Sequence, residues 1–254
     1  MTTDQTSAVH VIFGAGGGIG GALASRLSAS GARIILAGRS QPSLDRLAAS
    51  LHAETKLIDV THPDQVDHCL VETMESHGRI DGVANCVGSL LLKPAHLTTD
   101  AEWSATLAAN LTSAFHVLRA ATARMMRSGG GSIVLMSSAV AQRGMINHEA
   151  IAAAKAGVVG LAQSAAATYA RYNIRVNCVA PGLTRTPLTE SLTRNEASLK
   201  ASAALHPLGR IGEPHEVASA IAWLLDPEQS WVTGQVIAVD GGLSSVQPRL
   251  AATS

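Results

Sequence analysis

Four glycines, Gly14, Gly16, Gly18 and Gly20, punctuate the stretch VIFGAGGGIGGALA between an apolar run and a helical pattern. Glycine accepts positive φ and puts no Cβ between backbone and ligand, so a pyrophosphate can approach the main chain. The start of the following helix adds unpaired N–H groups and the positive end of its dipole. A tight strand-to-helix turn alone would also favour glycine, but the strand–turn–helix context points to a dinucleotide site. About twenty residues further on, a carboxylate would bond a ribose 2′-hydroxyl. The sequence there is LAGRS, with Arg39 and no acid. A guanidinium binds a 2′-phosphate through a bidentate fork, which favours NADP(H) over NAD(H). A solvated arginine after a strand is the plainer alternative.

A second centre lies in GMINHEAIAAAKAGVVGLAQSAA, residues 144–166. It holds one lysine, Lys155, in an apolar helical pattern, with Ile151 four residues earlier on the same face. His148 stands three residues before Ile151, about one turn away, and imidazole titrates in the range that acid–base work near neutrality needs. A solvated residue at a helix start is the bland reading of His148. Glu149 would serve the first helical turn. No HExxH, clustered carboxylates or Cys/His set suggests a metal.

These groups need a scaffold, and the apolar periodicity describes one. Strand-length runs at 8–14, 32–38, 55–60, 80–88, 132–138, 174–180 and 235–242 alternate with helical patterns. Helices are expected at 18–31, 42–51, from Pro63 to the glycine at 78, from about Asp100 to Arg127 as one amphipathic rod, after Glu149, and from Pro214 to Leu225. Apolar strands with helical crossovers imply an α/β, Rossmann-like, doubly wound parallel sheet of about seven strands, with helices on both faces. No repeat or low-complexity linker divides the chain, so residues 1–254 are read as one domain. The least regular stretch, 183–212, lies where a substrate lid would be useful; a plain surface insertion suits it equally.

Composition narrows the function classes. With 19 acidic and 19 basic residues in 254 and 3% aromatics, there is no basic stripe or stacking platform for nucleic acid. Three scattered cysteines, Cys69, Cys86 and Cys178, suit a reducing cytoplasm. The N-terminal MTTDQTSAV lacks the basic-then-apolar order of a signal peptide. The apolar helix after Glu149 is interrupted by Lys155 and Gln163 and is read as a buried helix of a soluble protein, not a membrane span.

Together these marks resemble the short-chain dehydrogenase/reductase family, close to the bacterial 3-oxoacyl-carrier-protein reductase type, over nearly the whole chain. FGAGGGIG (13–20) is similar to the family's TGxxxGIG, with Phe13 for threonine and Ile19 within the glycine loop. Asp59-Val60 corresponds to the pair that meets adenine, and NCVG (Asn85 to Gly88) to the NNAG strand end. Asn110 in AANLTSAF and Ser138 in IVLMSSAV correspond to the catalytic asparagine and serine. RVNCVAPGLTRTPL supplies Pro181, Gly182 and the nicotinamide-side Thr186, and residues 207–242 are similar to the C-terminal signature.

The YxxxK motif is where the resemblance fails. Lys155 sets the register, and Ile151 occupies the tyrosine position. In the family the tyrosine protonates the carbonyl oxygen, the lysine lowers the phenol's pKa and binds the nicotinamide ribose, serine holds the substrate oxygen and asparagine steadies a water relay. Isoleucine can neither donate nor accept a proton, and general acid–base catalysis is worth about 10²–10⁴ in rate. The resemblance therefore implies an NADP(H)-dependent oxidoreductase acting on a carbonyl or alcohol, with an atypical site of Ser138, Lys155 and Asn110; His148, by its spacing alone, is the candidate substitute acid, beside its bland reading as a solvated residue. Two other readings stay open: a catalytically silent NADP(H)-binding protein (a sensor or partner subunit), and a non-redox lyase or isomerase in the same pocket. The resemblance also implies a homotetramer or homodimer, packed through the Asp100–Arg127 and Glu149–Tyr172 helices.

Overall fold

Strands β1 (Val9–Phe13) and β2 (Arg33–Gly38) are buried through their centres, apolar apart from His10 of β1, because both faces of the sheet are covered. The structure, a computed structural model, describes residues 7–247. Among these residues β3 (Glu54–Leu57), β4 (Gly82–Asn85), β5 (Gly131–Met136), β6 (Ile174–Pro181) and β7 (Val236–Val239) complete a seven-stranded parallel sheet in the order β3-β2-β1-β4-β5-β6-β7. β3, ETKL, departs from the expected apolar character: it is an edge strand with Glu54 and Leu57 exposed.

Side chains along β1 alternate between two cores. Val9, Val11 and Phe13 face the layer of α3 (Pro63–His77), α5 (Ser113–Met125) and α6 (Glu149–Tyr169), while Ile12 faces α1 (Gly18–Ala29), α2 (Gln41–Leu51) and α9 (Pro214–Leu225). The chain moves outward from β1 through β2 to β3, then returns to lay β4 on the other side of β1. That reversal opens a crevice beyond the carboxyl ends of β1 and β4, where Phe13 and Asn85 are register partners.

Two expected elements differ. The rod from Asp100 to Arg127 is α4 (Asp100–Leu107) and α5 joined by a π-helical turn, Ala108–Thr112, centred on Asn110. Asn110 Nδ2 donates to the Thr106 carbonyl at 3.0 Å, taking an acceptor within the ladder, and to Ser89 Oγ at 2.9 Å beyond the helix; such π-turns gather at functional sites. The stretch 183–212 is also more regular than its sequence suggests, carrying a 3₁₀ turn (Pro187–Thr189), α7 (Glu190–Thr193) and α8 (Glu196–Leu205). Its ends are pinned together by a parallel bridge between Thr184 and Gly212.

α6 with its C-terminal 3₁₀ turn, Glu149–Tyr172, is long and apolar enough to cross a membrane by length and composition alone. Here Ala154, Val158, Ala162 and Ala165 are buried. A Cβ at Gly157 would come within 2.8 Å of Leu111, so part of the small-residue face serves packing within the chain.

Candidate active site

The glycine loop is built to leave space. Gly14 has φ +81°, and a Cβ at Gly20 would stand 2.3 Å from the Gly14 carbonyl oxygen, so each position needs glycine for its own reason. α1 starts without a side-chain cap, and its first i→i−4 bond runs from Gly21 N–H to Gly17 O at 2.9 Å. The N–H groups of Gly18, Ile19 and Gly20 therefore precede the helical ladder and face the groove as anion donors. A cavity of about 230 Å³ follows, lined by Gly14, Gly16, Gly18, Ile19, Gly20, Arg39, Val60, Gly88 and Thr186. Thr186 closes it from above, since a Cβ at Gly18 would lie 3.0 Å from Thr186 Cγ2. These donors and this cradle fit a dinucleotide.

Arg39 is exposed, and its one contact among the described residues is Asp59, Nη1 to Oδ2 at 3.4 Å. Asp59 is committed elsewhere, accepting from Thr61 N–H at 2.9 Å and Thr61 Oγ1 at 2.7 Å. Burial opposes its ionisation, but the Thr61 bonds and Arg39 outweigh it and hold the carboxyl below its ordinary range. Asn85 is buried behind the groove and accepts from Val87 N–H at 3.2 Å, shaping the β4 end rather than lining the space.

The second cluster adjoins this groove. Lys155 on α6 is buried, and its Nζ donates to the Met136 carbonyl at 2.9 Å; Ser137 Oγ donates back to the Lys155 carbonyl at 2.9 Å. Burial pushes the Lys155 amine down to about 8, with the Cys178 and Cys86 thiols opposing. Ser138 follows β5 in extended backbone and heads a 3₁₀ turn, Oγ accepting weakly from Val140 N–H at 3.4 Å. Asn110 and Lys155 converge on one glycine: a Cβ at Gly88 would lie 3.0 Å from Asn110 Oδ1 and 3.4 Å from Lys155 Nζ. Ile151 is 4% exposed on the same buried face of α6.

His148 stands at the N-cap position of α6 without a side-chain bond to the helix; its Nδ1 donates to the Ile146 carbonyl at 2.6 Å, leaving Nε2 as the other ring position. Ser138, Asn110, Lys155, Ile151, His148, Pro181 and Gly182 all line a cavity of about 320 Å³ that shares Ile19, Cys86, Val87, Gly88, Thr186 and Leu188 with the glycine groove.

Comparison with known proteins decides what this arrangement belongs to. The model of a family described as Enoyl-(Acyl carrier protein) reductase matches residues 14–244. The 3-oxoacyl-[acyl-carrier-protein] reductase FabG of Thermotoga maritima is 37% identical over 242 residues, covering 92% of this chain and 97% of that protein. The chain belongs to the short-chain dehydrogenase/reductase family. A short-chain type dehydrogenase/reductase from Mycobacterium ulcerans superposes with a TM-score of 0.91 at 32% identity, over 95% of this chain and 91% of that one. A variant of actinorhodin polyketide ketoreductase with NADPH superposes with a TM-score of 0.91 at 29% identity, over 95% of this chain and 99% of that one.

Within this short-chain dehydrogenase/reductase, three lining residues escaped sequence reasoning. Ser89 meets Asn110 twice, its N–H donating to Oδ1 at 3.1 Å and its Oγ accepting from Nδ2 at 2.9 Å. Nothing in a lone serine after NCVG signals that contact. Cys86 lines both cavities, its thiol pushed up to about 12 by burial against the pull of Lys155. His206 is buried with both nitrogens engaged: Nδ1 donates to Ser202 O at 2.8 Å and Nε2 accepts from Leu183 N–H at 3.2 Å. That fixes a neutral tautomer which ties α8 to the Pro181–Gly182 turn. Among the described residues, no group of three or more His, Cys, Asp or Glu is placed to hold a metal.

Proposed function

We propose that the chain is an NADP(H)-dependent oxidoreductase for a small carbonyl or alcohol, with its proton source moved from position 151 to His148. The observation that carries this is the convergence of Ser138, Asn110 and Lys155 on one cavity continuous with the glycine groove, with Ile151 where the family places its tyrosine. When bound, the nicotinamide ring supplies or receives the hydride.

The chain's own groups divide the remaining work. The Ser138 hydroxyl, only weakly engaged at 3.4 Å, is available to hold the substrate oxygen. Lys155 offers N–H donors beyond the one given to Met136 and would bind the nicotinamide ribose. Asn110 positions the loop around Gly88 and Ser89. Ile151 cannot transfer a proton. His148 lines the same cavity, and its Nδ1 bond to Ile146 orients Nε2 as the exchanging nitrogen.

Arg39, with donors to spare beyond its 3.4 Å contact, favours the 2′-phosphate, and the ketoreductase that carries NADPH supports the same choice. The segment 183–212 contributes Leu183, Leu188, Leu192 and Leu205 to the cavity wall and serves as its substrate lid within a single domain. Exposed Trp103 on α4 and Phe115 on α5 support self-association into a homotetramer or homodimer, which light scattering would measure directly.

The deciding experiment follows NADPH absorbance over a panel of carbonyl compounds for the wild type, Ile151→Tyr and His148→Ala. Wild-type turnover that disappears in His148→Ala supports the relocated acid. Turnover that survives His148→Ala removes His148 from the mechanism. A silent wild type with an active Ile151→Tyr identifies a binding protein with an otherwise intact pocket.

A further inference from the structure

Lys155 differs from the other lysines of the chain in what surrounds its amine. The sequence has four: Lys56, Lys93, Lys155 and Lys200. Lys56 is held by Glu72 at 2.7 Å and Lys93 by Glu102 at 2.8 Å, while Lys200 lies exposed on α8. Lys155 is buried and lines the larger cavity; among the described residues it meets no carboxylate, and its one hydrogen bond goes to a main-chain carbonyl, Met136 O.

The groups around it do not stabilise an ammonium. Cys86 stands at the end of β4 and Cys178 on β6, both thiols pushed up to about 12 by burial and so neutral. His148 lines the cavity from the start of α6, and His206 from beyond α8 is fixed as a neutral ring by its two hydrogen bonds. No Asp, Glu or Arg lines the cavity among the described residues. Ile151, one turn earlier, has no hydroxyl to engage the amine. A desolvated lysine without an ion partner is the environment in which amine nucleophiles arise.

We propose that Lys155 is a nucleophilic amine that condenses with uncharged, apolar aldehydes and ketones entering this cavity, an imine-forming activity separate from hydride transfer. The nitrogen lone pair adds to the carbonyl carbon while the C=O π electrons move to oxygen. Proton transfer from nitrogen to oxygen gives the carbinolamine. Protonation and loss of the hydroxyl as water leave a C=N bond, and nothing is oxidised or reduced. The ligand class follows from the wall: Leu90, Met145, Val140, Leu192 and Leu205 accept a hydrocarbon, and no guanidinium is present for an anion.

The activity concerns the protein without dinucleotide, so its test is independent of reductase turnover. The full-length chain is incubated with hexanal and sodium cyanoborohydride, which reduces the imine to a stable secondary amine, and the labelled lysines are found by peptide mapping. The expected result is labelling of Lys155 at least about tenfold faster than of exposed Lys200, since a lowered pKa supplies more neutral amine near neutrality. The rate at Lys155 rises between pH 6 and pH 8, and glyoxylate, an anionic aldehyde, labels it more slowly than hexanal. The wild-type map decides the matter without a variant; Lys155→Met then removes the fast phase. Hexyl groups on Lys200 and Lys93 with Lys155 unmodified, or equal rates at Lys155 and Lys200, would overturn the proposal, and equal rates with glyoxylate would overturn the apolar ligand class.

Discussion

Asn110 and Ser89 clasp each other by two hydrogen bonds, Ser89 N–H to Asn110 Oδ1 at 3.1 Å and Asn110 Nδ2 to Ser89 Oγ at 2.9 Å. The same amide donates to Thr106 O at 3.0 Å, so one side chain joins the π-turn between α4 and α5 to the loop that carries Gly88. Asn110→Ala leaves the Ser89 N–H and the Thr106 carbonyl without these partners in a buried site. The expected loss is about 1–3 kcal/mol in urea unfolding, against about 1 kcal/mol for Ser89→Ala. Equal losses in the two variants would show that the Thr106 bond and the Ser89 N–H bond add nothing.

Restoring the family's acid should reveal what position 151 is worth. Ile151 is buried on the face of α6 that carries Lys155. Introduced into the His148→Ala background, Ile151→Tyr is expected to raise kcat by about 10²–10⁴ on any carbonyl substrate the wild type accepts, the usual value of general acid catalysis. An unchanged kcat in the folded double variant would mean that proton transfer does not limit the rate.

Cofactor choice should turn on Arg39. Its contact with Asp59 is long, and its remaining donors face the groove that holds Val60 and Gly38. Arg39→Asp is expected to lower the preference for NADPH over NADH, in kcat/KM, by about 10–100-fold, the worth of a charged hydrogen bond of about 1.5–3 kcal/mol. A preference unaltered by this change would place the discriminating group elsewhere.

His10 on β1 should make the fold acid-sensitive. Its ring fills the space over Gly82, where a Cβ would come within 2.2 Å of Nδ1, and that nitrogen has no hydrogen-bond partner among the described residues. Burial pushes the imidazole down from 6.5 to about 4, with Asp81 opposing. The unfolded chain therefore takes up the proton first as pH falls. Stability is full above about pH 6.5, declines between about 6.5 and 4, and loses about 3 kcal/mol across that window from this group. Thermal melts from about pH 7.5 to 4.5 should show the decline, and His10→Leu should flatten it. An equally steep decline in His10→Leu would assign the sensitivity to other groups.

The sequence by itself determined the layers of this protein. Strand-length apolar runs alternating with helical patterns can satisfy their backbone and bury their side chains only as a covered parallel sheet, and all seven expected runs became its strands. The glycines between β1 and α1 were legible for a related reason: a missing Cβ is a local property, and Gly14 and Gly20 need it in the folded chain as well. The absence of a hydroxyl at position 151 is likewise written in the residue type.

Tertiary structure decided what depends on neighbours distant in the chain. The π-turn at Asn110 arises because one side chain competes for a ladder carbonyl while also reaching Ser89, 21 residues away, which no helical periodicity records. Residues 183–212 look polar and irregular, yet His206, just past α8, is buried against the Pro181–Gly182 turn, and Leu192 of α7 and Leu205 of α8 line a cavity wall. Lys155 is an ordinary cation on paper. Only the fold, by removing it from water among neutral thiols and main-chain carbonyls, makes it an amine poised near neutrality, because desolvation is a property of the surroundings and not of the residue.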